Sequence, residues 1–139
     1  MCIRDSSSHT RDYNWLQRHI ASDAHAVLTD VTAAYAGINV QGPNSRVLLQ
    51  HVSPGDFSNS AFPFGTSKEV QLGYATIRAS RISYVGELGW ELLIPSEMAA
   101  HVYETLVEVG QDLELTNVGM HAMNSLPVSY THLTLPTKA

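Results

Sequence analysis

Arg81-Ile-Ser-Tyr-Val-Gly-Glu-Leu-Gly-Trp-Glu-Leu-Leu-Ile-Pro95 is the stretch whose reading decides how this chain folds. Two β-forming runs, residues 77–85 and 90–94, flank Gly86-Glu87-Leu88-Gly89, and the pattern predicts a hairpin closed by a tight turn. Alternation places Trp90, Leu92 and Ile94 on one face of the second run and Glu91 on the other. Glycines on both sides of Glu87 permit positive φ and remove side-chain bulk where a flat ligand could approach. The turn therefore holds one carboxylate, Glu87, at a defined place. The residues alone leave two readings open: a solvated glutamate at a hairpin tip, or a carboxylate presented to a ligand.

Working outward, residues 12–20 read as a short helix with Tyr13, Leu16 and Ile20 on one face. Residues 26–30 and 35–41 are strand-like. Gly42-Pro43 opens a second helix, since proline is well tolerated where its missing N–H would be unpaired anyway; Val47, Leu48 and Val52 give it a buried side. Residues 53–67 read as a loop pinned to the core by Phe57, Phe62 and Phe64. A long strand is predicted over 73–85, with 90–94 as its partner. Ser96 is a candidate N-cap for a helix reaching about residue 112. Its apolar face is Ala99, Val102, Tyr103, Leu106 and Val109. A last helical run covers 119–126. This order predicts an α+β fold with helices packed on a largely antiparallel sheet.

Composition bounds the function. The 44% apolar share is that of a globular protein, and no apolar run approaches the roughly 18–20 residues that span a bilayer. A formal net charge of −5, with eight scattered basic residues, argues against a nucleic-acid surface. The seven histidines show no zinc-finger or zincin spacing, so no metal site is expected. There is no Gly-x-Gly-x-x-Gly, Walker or Gly-x-Ser-x-Gly motif. Residues 1–20 lack the apolar segment of a secretion signal; separately, the expected location is the cytoplasm, or the mitochondrial matrix in a eukaryotic source.

The quoted stretch resembles the signature of the folate-binding aminomethyltransferase family, the T-protein of the glycine cleavage system and its relatives. That signature is an aromatic-Thr-Gly-Glu-Asp-Gly-x-Glu hairpin, matched here by Tyr84, Gly86, Glu87, Gly89 and Glu91. Leu88 and Trp90 depart from it toward the version in the C-terminal half of sarcosine and dimethylglycine dehydrogenases. Three further segments agree: Tyr-Ala-Gly-Ile-Asn-Val-Gln-Gly-Pro at 35–43, Phe-Ser-Asn-Ser-Ala-Phe-Pro-Phe-Gly-Thr at 57–66, and Asn-Val-Gly-Met-His-Ala-Met-Asn-Ser-Leu at 117–126. In the stand-alone transferases the last segment carries an Arg that contacts folate. Met123 and Asn124 stand in place of its Arg-Asp pair, so that contact is not carried over, and the replacement again favours the dehydrogenase subgroup.

The resemblance implies the ferredoxin-like part of the aminomethyltransferase folate-binding fold, incomplete, over residues 7–126. It implies that Glu87 holds the pterin ring. A pterin edge presents a ring N–H beside an amino group, and a carboxylate offers two acceptors at matching separation. Each such charge-assisted bond is worth roughly 1.5–3 kcal/mol. Tyr84 is read as pocket wall or core, Glu91 as pocket lining or exposed strand residue, and Arg81 as a family-motif arginine or a salt-bridge partner. The function implied is one-carbon transfer to tetrahydrofolate, fused behind an FAD-dependent dehydrogenase acting on an N-methyl amine such as sarcosine or dimethylglycine. The alternatives are a stand-alone aminomethyltransferase and a non-catalytic folate-binding scaffold. The family's catalytic aspartate lies upstream of this segment, so no residue here is given a catalytic role, and the segment alone is expected to be inactive. Residues 1–6 and 127–139 resemble translated sequencing-adaptor sequence and are set aside, and with them Cys2, the single cysteine.

Overall fold

The computed structural model describes residues 9–125. They fall into two compact units that divide between Ala33 and Ala34. Both adaptor-like ends, 1–6 and 127–139, lie outside the described residues.

The first unit contains α1 (His9–His19), none of whose residues is buried. Trp15 stacks on His19 with ring centroids 4.0 Å apart, and His19 Nδ1 lies 2.6 Å from the Trp15 carbonyl oxygen. The strand predicted over 26–30 does not form: the segment has no regular structure, and Val27 is 91% exposed. β-forming composition yields a strand only where a neighbouring strand and a surface to pack on exist. The segment ends instead in a local cap, where Asp30 accepts from the Thr32 backbone N–H (2.9 Å) and hydroxyl (2.6 Å).

The second unit is a four-stranded antiparallel sheet with helices on one face, the α+β class predicted. Its elements are β1 (Tyr35–Gln41), α2 (Ser45–Val52), β2 (Ser67–Leu72), β3 (Ala75–Ser80), β4 (Gly89–Pro95), α3 (Ala99–Gly110) and α4 (Met120–Ser125). The strand order is β1-β4-β3-β2, so β1 and β2 are the two edges. Cross-strand pairs Val40–Trp90, Leu92–Ala79, Ile77–Val70 and Ala75–Leu72 put the core side chains on a common face. There they meet Leu48, Leu49 and Val52 of α2 and Val102 and Leu106 of α3 in one continuous core. The opposite face carries Leu93, 45% exposed, and the polar residues Asn39, Glu91, Arg78 and Glu69.

β4 follows the predicted alternation, with Trp90, Leu92 and Ile94 all buried. The hairpin does not. β3 stops at Ser80, and residues 81–88 form an irregular loop before β4 resumes at Gly89. The tight hairpin lies earlier, where Leu72 pairs with Ala75 across Gly73-Tyr74. The strand predicted over 73–85 is thus two features, β3 and a loop, and β2 was not predicted at all. α2 begins at Ser45, after a turn through Gly42 and Pro43, and buries Leu48, Leu49 and Val52 while Val47 stays exposed. In the loop after it Phe57 and Phe62 are buried, but Phe64 is 75% exposed. Beyond β4, Ser96–Met98 is a single 3-10 turn and α3 proper starts at Ala99. Its buried residues are Val102, Leu106 and Gly110, with Tyr103 exposed instead. No helix among the described residues is long and apolar enough to cross a membrane.

The Gly73-Tyr74 turn is locked by α3. The Tyr74 backbone N–H donates to His101 Nε2 at 3.0 Å, and the Tyr74 ring stacks on the imidazole at 5.1 Å. Gly73 has φ +56°, and a Cβ there would lie 2.5 Å from His101 Nε2. Gly73→Ala is therefore expected to lower unfolding stability by about 2 kcal/mol, combining the left-handed backbone cost with loss of the His101 bond. In a urea titration, adding His101→Ala should recover part of that loss. Strict additivity of the two substitutions would contradict the contact.

Candidate functional site

A cleft of about 750 Å³ in this unit is lined along β1, an edge strand among the described residues. One wall is the end of β1 and the turn into α2, from Gly37 to Ser45. The second is α3 with the segment after it, contributing Tyr103, Leu106, Leu113, Leu115 and Asn117. Val85 and Glu87 reach in from the β3–β4 loop, and Met123 of α4 closes the set. A cleft of this size and mixed lining suits a small organic ligand.

Sequence chemistry explains the walls. Among the described residues β1 is an edge strand, paired on one side only, with β4. Gly110 ends α3 because Leu115 folds back onto it: a Cβ there would come within 2.6 Å of the leucine side chain. Glu114, at φ +57°, turns the chain back. The Asn117 amide then donates to the Tyr103 hydroxyl at 2.9 Å, and the Asn39 amide to Met123 Sδ at 3.8 Å.

Glu87 is exposed at the cleft, carried by a loop with Gly86 at φ +78°. Among the described lining residues the charged side chains are Glu87 and Glu114, both acidic. The Glu87 carboxylate therefore favours a donor-rich group at its end of the cleft. Gln41 Nε2 is buried in the wall without a hydrogen-bond partner among the described residues. Asp56, whose carboxyl is held below its ordinary value by the Ser58 backbone N–H and hydroxyl, caps the loop after α2 and is not among the lining residues.

The other three residues singled out from sequence flank Glu87 in the chain and are not among the cleft-lining residues. Tyr84 is in the same loop, 37% exposed. Glu91 is half-buried on the polar face of β4, opposite Asn39 and Ser80. Arg81 works on the framework: its guanidinium donates to the Phe62 carbonyl at 2.7 Å and lies 5.7 Å from the Trp90 ring centre. Its own backbone bridges Gly65 and Thr66 at 2.9 and 2.8 Å. Sequence reasoning missed Asn39, Gln41, Ser45 and Asn117 as cleft residues. The Gln-Gly-Pro segment was a usable signal for Gln41, whereas Asn117 has no pattern that marks it.

An antiparallel sheet with helices packed on it is the α+β architecture that the family resemblance implied. The chain belongs to the GCVT N-terminal domain family, which matches residues 1–135. It is 45% identical over 111 residues, 78% of its length, to 4-methylaminobutanoate oxidase (formaldehyde-forming) of Paenarthrobacter nicotinovorans. It is 42% identical over 107 residues, 76% of its length, to mitochondrial sarcosine dehydrogenase of Homo sapiens. To the mitochondrial pyruvate dehydrogenase phosphatase regulatory subunit of Mus musculus it is 36% identical over 115 residues, 82% of its length. It spans only 13%, 12% and 13% of these three relatives. In fold it is similar to the heterotetrameric sarcosine oxidase from Corynebacterium sp. U-96 in complex with pyrrole 2-carboxylate. The TM-score is 0.63 at 20% identity, over 77% of this chain and 53% of that one.

Proposed function

We propose that this chain is part of a folate-binding, one-carbon-transfer domain within a flavin-dependent N-methyl amine oxidoreductase. The observation that carries the reading is the Glu87 carboxylate at the cleft, in a chain of the GCVT family. The residues fit a pterin. Glu87 offers two acceptors to its adjacent ring N–H and amino group, and the cleft volume accommodates the ring. Tyr84 is proposed as flanking wall, while Arg81 and Glu91 hold the loop and strand that carry Glu87. Met123, at the cleft where stand-alone transferases place an Arg, favours the dehydrogenase-like subgroup.

Tetrahydrofolate supplies the amine nitrogens that take up the one-carbon unit, giving 5,10-methylenetetrahydrofolate. The chain's own residues contribute orientation: they hold the pterin so that those nitrogens meet the arriving carbon. FAD and the oxidation of an N-methyl amine, sarcosine, dimethylglycine or 4-methylaminobutanoate, belong to a preceding domain of the parent protein. By itself this segment binds without turnover. The parent resides in the cytoplasm of a bacterium or the matrix of a mitochondrion.

The test is equilibrium titration of the full-length protein with tetrahydrofolate, followed by quenching of tryptophan fluorescence. Saturable binding is the expected result, and its absence up to millimolar ligand would overturn the reading. A second reading, a non-catalytic regulatory protein that keeps the fold, is favoured by the similarity to the phosphatase regulatory subunit. A long read across the locus separates the two. The first requires an upstream strand–Gly-x-Gly-x-x-Gly–helix unit and an aspartate in the missing part of the domain. The second predicts that the aspartate has been lost.

A further inference from the structure

Glu87 stands in a loop with no strand ladder to hold it, next to a glycine at φ +78° whose Cβ position faces open space. A carboxylate that reads two donors must nevertheless be held to within a fraction of an ångström. Its neighbour Leu88 supplies the anchor. The Leu88 carbonyl accepts two hydrogen bonds, one from the Gly42 backbone N–H at 2.8 Å and one from the Ser45 hydroxyl at 3.1 Å. Both acceptor sites of that oxygen are thus taken by one short segment, the turn from β1 into α2.

Two glycines make the anchor possible. Gly42 adopts φ +115°, a backbone state that few other residues enter. Gly89 packs so closely on β1 that a Cβ would lie 2.9 Å from Gln41 Cγ and 3.0 Å from the Val40 carbonyl oxygen. Ser45 is 4% exposed, and its hydroxyl is the one side-chain group among these contacts. Resting on the pterin-contact reading of Glu87, we infer that Ser45 is a positioning residue. Through the Leu88 carbonyl it fixes the Glu87 carboxylate at the cleft, and thereby sets affinity for a ligand presenting paired donors.

Ser45 acts through Glu87, so its effect must vanish when Glu87 can no longer read the ligand. In the full-length protein, Ser45→Ala should weaken tetrahydrofolate binding by roughly three- to tenfold, the usual weight of one hydrogen bond. Ser45→Thr, which keeps the hydroxyl, should restore most of it. In a Glu87→Gln background, Ser45→Ala should change affinity by less than about twofold. An equal penalty in both backgrounds, or none in either, would overturn the inference. Hydrogen exchange of the ligand-free protein decides the anchor separately. Amides 86–89 should exchange faster in Ser45→Ala, with those of β2 and β3 unchanged; unchanged exchange at 86–89 overturns it. If the wild-type protein binds no tetrahydrofolate, the folate reading falls, and the exchange measurement still judges the anchor.

Discussion

Glu87→Gln in the full-length protein is expected to weaken tetrahydrofolate binding by roughly 10- to 100-fold. The substitution preserves shape and removes charge. One carboxylate oxygen becomes an amide NH₂ that faces a donor on the pterin edge, so one charge-assisted bond is lost and the other weakened. Such bonds contribute about 1.5–3 kcal/mol each, and 1.4 kcal/mol is tenfold in affinity. Because Glu87 is exposed and packs into no core, the variant should unfold at the wild-type urea midpoint, which separates lost binding from lost fold. Affinity within about twofold of wild type would remove Glu87 from the site.

The largest expected effect on stability is at Trp90. The indole is fully buried, with Phe57 and Phe62 edge-on at 5.5 and 6.1 Å. The guanidinium groups of Arg46 and Arg81 lie at 5.8 and 5.7 Å from its ring centre. Arg46 in turn donates to the Phe57 carbonyl at 2.9 Å and to Asn59 at 2.6 Å, so the ring ties β4 to the loop after α2. Trp90→Ala should cost about 3–5 kcal/mol, the range for emptying a large aromatic site. Trp90→Phe should cost no more than about 2 kcal/mol, since Trp90 Nε1 has no hydrogen-bond partner among the described residues to lose. Urea unfolding measures both. Equal midpoints for the two variants would mean that the ring does not carry the packing.

How far the fold was legible depended on how local its causes are. β4 was readable because its whole signal lies in seven residues: apolar side chains alternate with polar or exposed ones, and the buried set is Trp90, Leu92 and Ile94. α3 was readable for the same reason at helical period. β2 was not: Ser-Lys-Glu-Val-Gln-Leu is an edge strand whose one fully buried residue is Leu72. Its identity as a strand comes from pairing with β3. Residues 26–30 failed in the opposite sense, with strand composition and no strand to join.

The candidate site divides in the same way. The glycine-flanked Glu87 and the family it points to were legible in the sequence itself, because a short motif and its spacing carry them, whereas Tyr84 and Glu91, named with it, are not among the cleft-lining residues. The roles of the glycines were not. Gly86 supplies positive φ, as a turn glycine should, whereas Gly89 is a strand residue kept small by Gln41. The tertiary structure alone decided that the hairpin turn lies at Gly73-Tyr74 and that Arg81 is tied to the Phe62 carbonyl. It also decided that Asn39, Gln41, Ser45, Asn117 and Met123 share one cleft with Glu87. The physical reason is range. Propensity and periodicity act between residues a few positions apart, whereas Arg81 and Phe62 are 19 positions apart, Tyr74 and His101 27, and Asn39 and Met123 84, and these contacts exist only once the sheet has closed around them.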